Sequence, residues 1–242
     1  AAGFKELRDF IGKYGHLREE DSRVLRFSIY GHHSNAPSKI HQKEVQLVEE
    51  LGLSTQIHCL ESPIRSPQQR LDYPAMFEAG KFQDDLTVAH FIHVTPEILE
   101  VAASNGVGMI WNPLSNGRLA SGYADVPAYL EAGLEIGMGL DGQASADLSD
   151  PFQNMRMGLY ANRMMYESAT IMSVHDILRH HTLETARVLG VENKVGNLKE
   201  GKYADFLIVA PSGTGPVHNP LATLIFACSS SHIESVWVGG EK

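Results

Sequence analysis

Five short apolar runs, separated by stretches with helical spacing, constrain this chain more than any other feature. The runs cover residues 24–30, 54–59, 86–90, 108–111 and 136–140. Residues 38–52 place Ile40, Val45, Leu47 and Val48 at helical spacing and stop at Gly52. Residues 67–80, 95–105 and 125–132 fill the next three gaps in the same way. A helix over residues 4–14 precedes the first run, Asp150-Pro151 opens a helix reaching Tyr166, and Ser173 caps another reaching Gly190. Strands that alternate with helices imply a parallel sheet, either open and doubly wound or closed as a barrel. No glycine-rich phosphate loop follows any of the runs, so the dinucleotide-binding version has no support.

After Gly190 the rhythm changes. Residues 196–202 are turn-rich, and the short apolar runs 204–209, 221–227 and 233–238 suggest a small β-rich appendage. The expected division is residues 1–190 as the βα unit and 191–242 as the appendage. The length of 242 residues suits that arrangement.

Charge narrows the partners. Twenty Lys and Arg against 29 Asp and Glu give a net charge of −9, with no basic run, which argues against nucleic acid. No apolar stretch approaches membrane-spanning length. Residues 1–6 lack the order of a signal peptide, and two cysteines, Cys59 and Cys228, form no disulfide framework. A cytoplasmic protein with free thiols is the expectation.

The chemistry concentrates where the runs end. His58, Glu61, His90 and Asp141 all lie at the C-terminal ends of strands or just beyond, the side on which βα barrels build active sites. Taken singly, each has an ordinary explanation: a core histidine, a solvated loop glutamate, an Asp-Gly turn. Together they make a donor set for a divalent ion with a spare carboxylate for proton transfer. Alternation puts His58 on the inner face and Cys59 outward, as packing. His41, His218 and His232 read as surface residues, and Met155, Met157, Met164 and Met165 as core packing.

At these residues the sequence resembles the amidohydrolase superfamily, in the branch holding cytosine, guanine and S-adenosylhomocysteine deaminases and the triazine hydrolases. The resemblance is carried by the stretches at residues 57–62, 88–93, 112–122, 139–145 and 196–205. It implies a (β/α)8 barrel of TIM type with part of a small composite β-sandwich at the C-terminal end. It implies one divalent metal, zinc first, with iron or manganese as alternatives. His58 and Asp141 would be metal ligands, and Glu61, His90 and Asp141 the catalytic groups. Glu61 would shuttle a proton, His90 would orient the water or polarise the substrate, and Asp141 would take the water's proton. His33, Asn112, Ser115 and Asn116 would line the substrate pocket.

The implied activity is metal-dependent hydrolysis of C–N bonds, with deamination of a small nitrogen heterocycle as the first choice. A triazine-type chlorohydrolase or amidohydrolase is the alternative, and a non-catalytic binding relative is a third reading. A homo-oligomer is implied as well. The family's first metal pair, His-X-His, does not occur in this sequence. By the family's order, the first three strands are absent too. Such a chain is expected to leave the runs at residues 24–30 and 136–140 as sheet edges that other polypeptide must cover.

Overall fold

The computed structural model describes residues 2–20 and 24–242. Helices α1 (Ala2–Tyr14) and α2 (Leu17–Glu20) lead into strand β1 (Ser28–Tyr30). Then follow α3 (Ser38–Leu51), β2 (Ser54–Cys59), α4 (Ser66–Glu78), β3 (Leu86–His90), α5 (Pro96–Ser104) and β4 (Gly108–Trp111). Helices α6 (Pro113–Arg118) and α7 (Val126–Glu131) precede β5 (Glu135–Met138). The chain continues through α8 (Gln143–Ala146), α9 (Pro151–Tyr166), α10 (Val174–Arg179) and α11 (Thr185–Val188). It ends in β6 (Phe206–Val209), α12 (Pro220–Ala227) and β7 (Ile233–Trp237).

Strands β1 to β5 form one parallel sheet in sequence order, as expected for a barrel wall. Ile57 and Cys59 of β2, Val88 of β3, Met109 and Trp111 of β4, and Ile136 and Met138 of β5 all enter the main core. Met76, Phe82, Ile98, Leu159 and Ile177 from the surrounding elements join them there. Each such side chain contributes about 1.5–3 kcal/mol on burial. Cys59 is therefore packing, and burial pushes its thiol up to about 12. The intervening residues of β2, Gln56 and His58, face the other side. Among the described residues no helix is long and apolar enough to cross a membrane.

Several expectations need correction. The first strand is three residues long, and residues 24–27 stay outside the ladder. Its partner β2 begins at Ser54, opposite Ser28, and the Ser54 N–H donates to Phe27 O at 3.3 Å. The segment after Ser173 is not one α-helix: residues His180–Glu184 form a wider π turn between α10 and α11. The apolar run 221–227 is helix α12, not a strand. Asn219 caps it by accepting the Ala222 N–H, and Pro220 occupies its first turn. Its Ile225 and the following Cys228 pack into the main core, and Arg156 of α9 donates to Phe226 O and Cys228 O. Only β6 and β7 form the second sheet, an antiparallel pair.

His41 is fully buried, not on the surface, because α3 turns His41, Glu44, Leu47 and Val48 inward. Met155 lies in the core, whereas Met164 and Met165 are exposed on the far face of α9. The β5 edge is not bare either. His180 Nδ1 lies 2.7 Å from Ile136 O, and Thr185 Oγ1 takes the Met138 N–H at 2.9 Å. Thr185 fits there because Gly137 has no side chain: a Cβ at Gly137 would stand 2.6 Å from Thr185 Cα.

Candidate metal centre and active site

Two adjacent strand ends build the site. Cys59 pairs with His90 and His58 with Ala89, so alternation alone would put His90 on the Cys59 face. The backbone leaves the strand conformation at His90, φ 70°, and its ring lies against His58. Their rings stack with centroids 5.2 Å apart. Asp141 lies three residues beyond β5 and reaches them from the turn before α8. One ligand atom from each of His58, His90 and Asp141 lies within 4.8 Å of the others. Glu61 completes the group, its Oε2 standing 3.9 Å from His90 Nε2.

The backbone is bent to achieve this. Leu60, His90, Phe91 and Asp141 all have positive φ, at 51°, 70°, 49° and 62°. Left-handed backbone at residues with side chains costs of order 1–3 kcal/mol each and collects at functional sites. No sequence cue marked Leu60, His90 or Phe91, since none is Gly or Asn.

One short segment after β4 holds three of the four groups. Ser115 Oγ donates to Asp141 Oδ2 at 2.6 Å, and Asn116 Oδ1 lies 2.8 Å from His90 Nδ1. Ser121 Oγ donates to Glu61 Oε1 at 3.2 Å. Ser115 and Asn116 are buried behind these side chains, and Asn112 donates to Ile110 O. They support the site from behind and do not line its open cleft. That cleft, of about 550 Å³, is lined by His33, His58, Glu61, Arg65, Gln68 and Asp72 among others. His33 is thus the one expected pocket residue that the structure puts on the cleft wall. His93 lies outside the group, with Nε2 2.7 Å from Ser121 O.

Electrostatics favour ion binding. Burial pushes the Asp141 carboxyl up, but the Ser115 hydroxyl and the Gly142 N–H outweigh it and hold it below the usual carboxylate range. Burial and the neighbouring His90 pull His58 below the ordinary imidazole value, so it presents a lone pair at neutral pH. With Asn116 Oδ1 accepting from His90 Nδ1, the neutral tautomer of His90 carries its lone pair on Nε2. That nitrogen is buried without a hydrogen-bond partner and stands 3.8 Å from Asp141 Oδ2. Two imidazoles and a carboxylate converging on such a gap fit a divalent ion of the zinc class.

A second set of residues, missed from the sequence, anchors the turn after β1. Glu44 and Lys81 form an ion pair at 2.6 Å with both side chains 2% exposed. Glu44 Oε2 accepts the His32 N–H at 2.9 Å, and Lys81 Nζ donates to His32 O at 2.8 Å. Tyr30 Oη lies 2.8 Å from His58 Nδ1 and 3.1 Å from His33 Nε2. Gly31 makes room for the pair: a Cβ there would lie 2.4 Å from Glu44 Oε1 and 2.5 Å from Thr55 Cγ2. Gly31→Ala is therefore expected to destabilise the fold by about 1–3 kcal/mol, read as a lower urea midpoint. An unchanged midpoint would mean that the turn opens freely.

Comparison with known proteins identifies a family and a fold. The profile of the amidohydrolase family matches residues 13–242. A 5-methylthioadenosine/S-adenosylhomocysteine deaminase of Desulforudis audaxviator is 32% identical over 206 residues, 82% of this chain and 48% of that protein. A 5'-deoxyadenosine deaminase of Methanopyrus kandleri is 29% identical over 226 residues, 90% of this chain and 52% of that protein. The chain spans about half the length of these curated relatives. Among solved structures, an adenosine deaminase from Xanthomonas campestris with bound zinc superposes with a TM-score of 0.81 at 25% identity. That match covers 89% of this chain and 51% of the other. An atrazine chlorohydrolase from Arthrobacter aurescens, with a TM-score of 0.77 at 24% identity over 88% of this chain and 49% of its own, shares the fold.

Proposed function

The chain belongs to the amidohydrolase family, and from that premise we propose that it serves a metal-dependent deaminase acting on a nucleoside-like nitrogen heterocycle. The observation that carries this reading is the convergence of His58, His90 and Asp141 on one gap, with Glu61 beside it. His58, His90 and Asp141 would hold a zinc ion. Such an ion supplies Lewis acidity and lowers the pKa of a water to about 7.

The chain's own groups handle the protons. Asp141, held ionised by Ser115 and Gly142, takes a proton from the attacking water. Glu61, held by Ser121, gives its proton to the ring nitrogen. Asp141 then returns the water's proton to the departing amine, and the hydroxyl left on the ring carbon gives its proton back to Glu61. One C–N bond breaks, one C–O bond forms, and ammonia leaves. His33 on the cleft wall contacts the heterocycle. Relatives that deaminate adenine nucleosides support that substrate class over a triazine.

Buried, unpaired Cys59 and Cys228 suit a reducing compartment, and the reading includes a cytoplasmic homo-oligomer. The test is ammonia release from adenine nucleosides by the full-length protein before and after chelation, with elemental analysis of the metal. Chelation is expected to stop turnover and zinc to restore it. Glu61→Gln should keep the metal and lose about 10²–10⁴-fold in kcat. Turnover that survives complete metal removal would overturn the reading.

A further inference from the structure

Tyr30 stands on the sheet-edge strand β1, opposite Gln56, and is 57% exposed as a residue. Its hydroxyl touches two imidazoles at once, His58 Nδ1 at 2.8 Å and His33 Nε2 at 3.1 Å. Both rings also pack on the phenol, each with its centroid 5.5 Å away. We infer that Tyr30 is a positioning residue that ties the tautomer of His33, on the cleft wall, to occupancy of the metal site through His58. The inference rests on the metal-site reading above.

The argument is one of proton counting. A phenol has a single hydrogen to give and can also accept. For His58 to offer Nε2 to an ion, its proton must sit on Nδ1, and that N–H then donates to Tyr30 Oη. The Tyr30 hydrogen is thereby released for His33 Nε2, which becomes an acceptor. His33 must then carry its proton on Nδ1, as a donor available to the cleft. Run in the opposite direction, His33 Nε2–H would donate to Tyr30 and Tyr30 to His58 Nδ1. The His58 proton would then lie on Nε2, and the ligand lone pair would be gone. An ion at His58 selects the first direction, so a filled site presents an N–H donor at His33. That donor suits an unprotonated ring nitrogen or a carbonyl oxygen of the substrate.

The hydrogen bond on the far nitrogen of a ligating histidine orients the ring, and losing it typically costs 10–100-fold in metal affinity. Tyr30 is half exposed, so the low end applies. Tyr30→Phe keeps the ring and removes only the hydroxyl. In the full-length protein, Tyr30→Phe is expected to bind zinc about ten-fold more weakly, measured by chelator competition. The thermal midpoint of the metal-free protein should not change. Nitrogen-15 NMR should show zinc moving His33 to the Nδ1–H tautomer in the parent and leaving it mixed in Tyr30→Phe.

Zinc affinity within about two-fold of the parent overturns the inference, as does a His33 tautomer that responds to zinc equally in both proteins. A lowered midpoint of metal-free Tyr30→Phe would make the residue merely structural and overturn it too. His58→Ala separates the two levels. If His58→Ala loses zinc while Tyr30→Phe keeps it, this inference alone fails. If the parent binds no zinc, the functional reading fails with it.

Discussion

Asp141→Asn is expected to lower kcat/KM of the full-length protein by about 10²–10⁴-fold while leaving the fold intact. The substitution is clean for a backbone reason. Asp141 has φ 62°, a left-handed conformation that Asn adopts as readily as Asp and that Ala resists. The chemical loss is sharp. The carboxylate accepts Ser115 Oγ–H at 2.6 Å on one oxygen and Gly142 N–H at 2.5 Å on the other. An amide can accept only one of these, and its NH2 would face either the Gly142 N–H or a reoriented Ser115 hydroxyl. It also removes the negative charge opposite His58 and His90 and can take no proton from water. Steady-state ammonia release and a thermal melt check both halves of the expectation. Activity within about ten-fold of the parent would remove Asp141 from its role as proton acceptor.

Asp141, His58 and His90 were legible because each ends a periodic apolar run, and a parallel sheet brings strand ends to one side. The stacking of the two imidazoles was not, since the register pairs His90 with Cys59 and the ring meets His58 where the backbone turns left-handed at His90. What holds them was not legible. Ser115 and Asn116 look like pocket residues in the chain, because a loop after a strand is where a pocket wall forms. Only the tight turn of α6 shows that they point to Asp141 and His90. Tyr30 reads as a strand aromatic, and nothing local couples it to His33 and His58.

Helix α12 is ambiguous in the sequence for a different reason. A short apolar run fits a strand or a buried helix equally by periodicity. Asn219-Pro220 at its start carried the deciding cue, a side-chain cap followed by Pro in the first turn. The buried face of α3 was hidden by composition. Two of its inward positions are His41 and Glu44, which a hydrophobic pattern assigns to solvent.

Glu44→Gln is expected to destabilise the fold by about 3–5 kcal/mol, because it leaves the Lys81 ammonium buried without its counter-charge. At this chain length that lowers the thermal midpoint by roughly 10 °C. Lys81→Met should cost a similar amount by stranding the carboxylate. The double variant should cost less than the sum of the two, since neither charge is then left alone.

The pair also sets an acid limb of stability. Burial pushes the Glu44 carboxyl up, but Lys81 and the His32 N–H outweigh it and hold it below its ordinary value. A carboxyl whose folded pKa lies below the unfolded one stabilises the fold fully above the unfolded value, about 4.3 for Glu. That stabilisation is lost as pH falls through the lowered folded pKa. Urea midpoints of the parent should therefore fall over this acid range, and those of Glu44→Gln should fall less. Because Glu44 and Lys81 both bond His32, which lies between Tyr30 and His33, the same variant should loosen the cleft wall. A Glu44→Gln protein that keeps the parent's midpoint at neutral pH would show that the ion pair contributes nothing net to the fold.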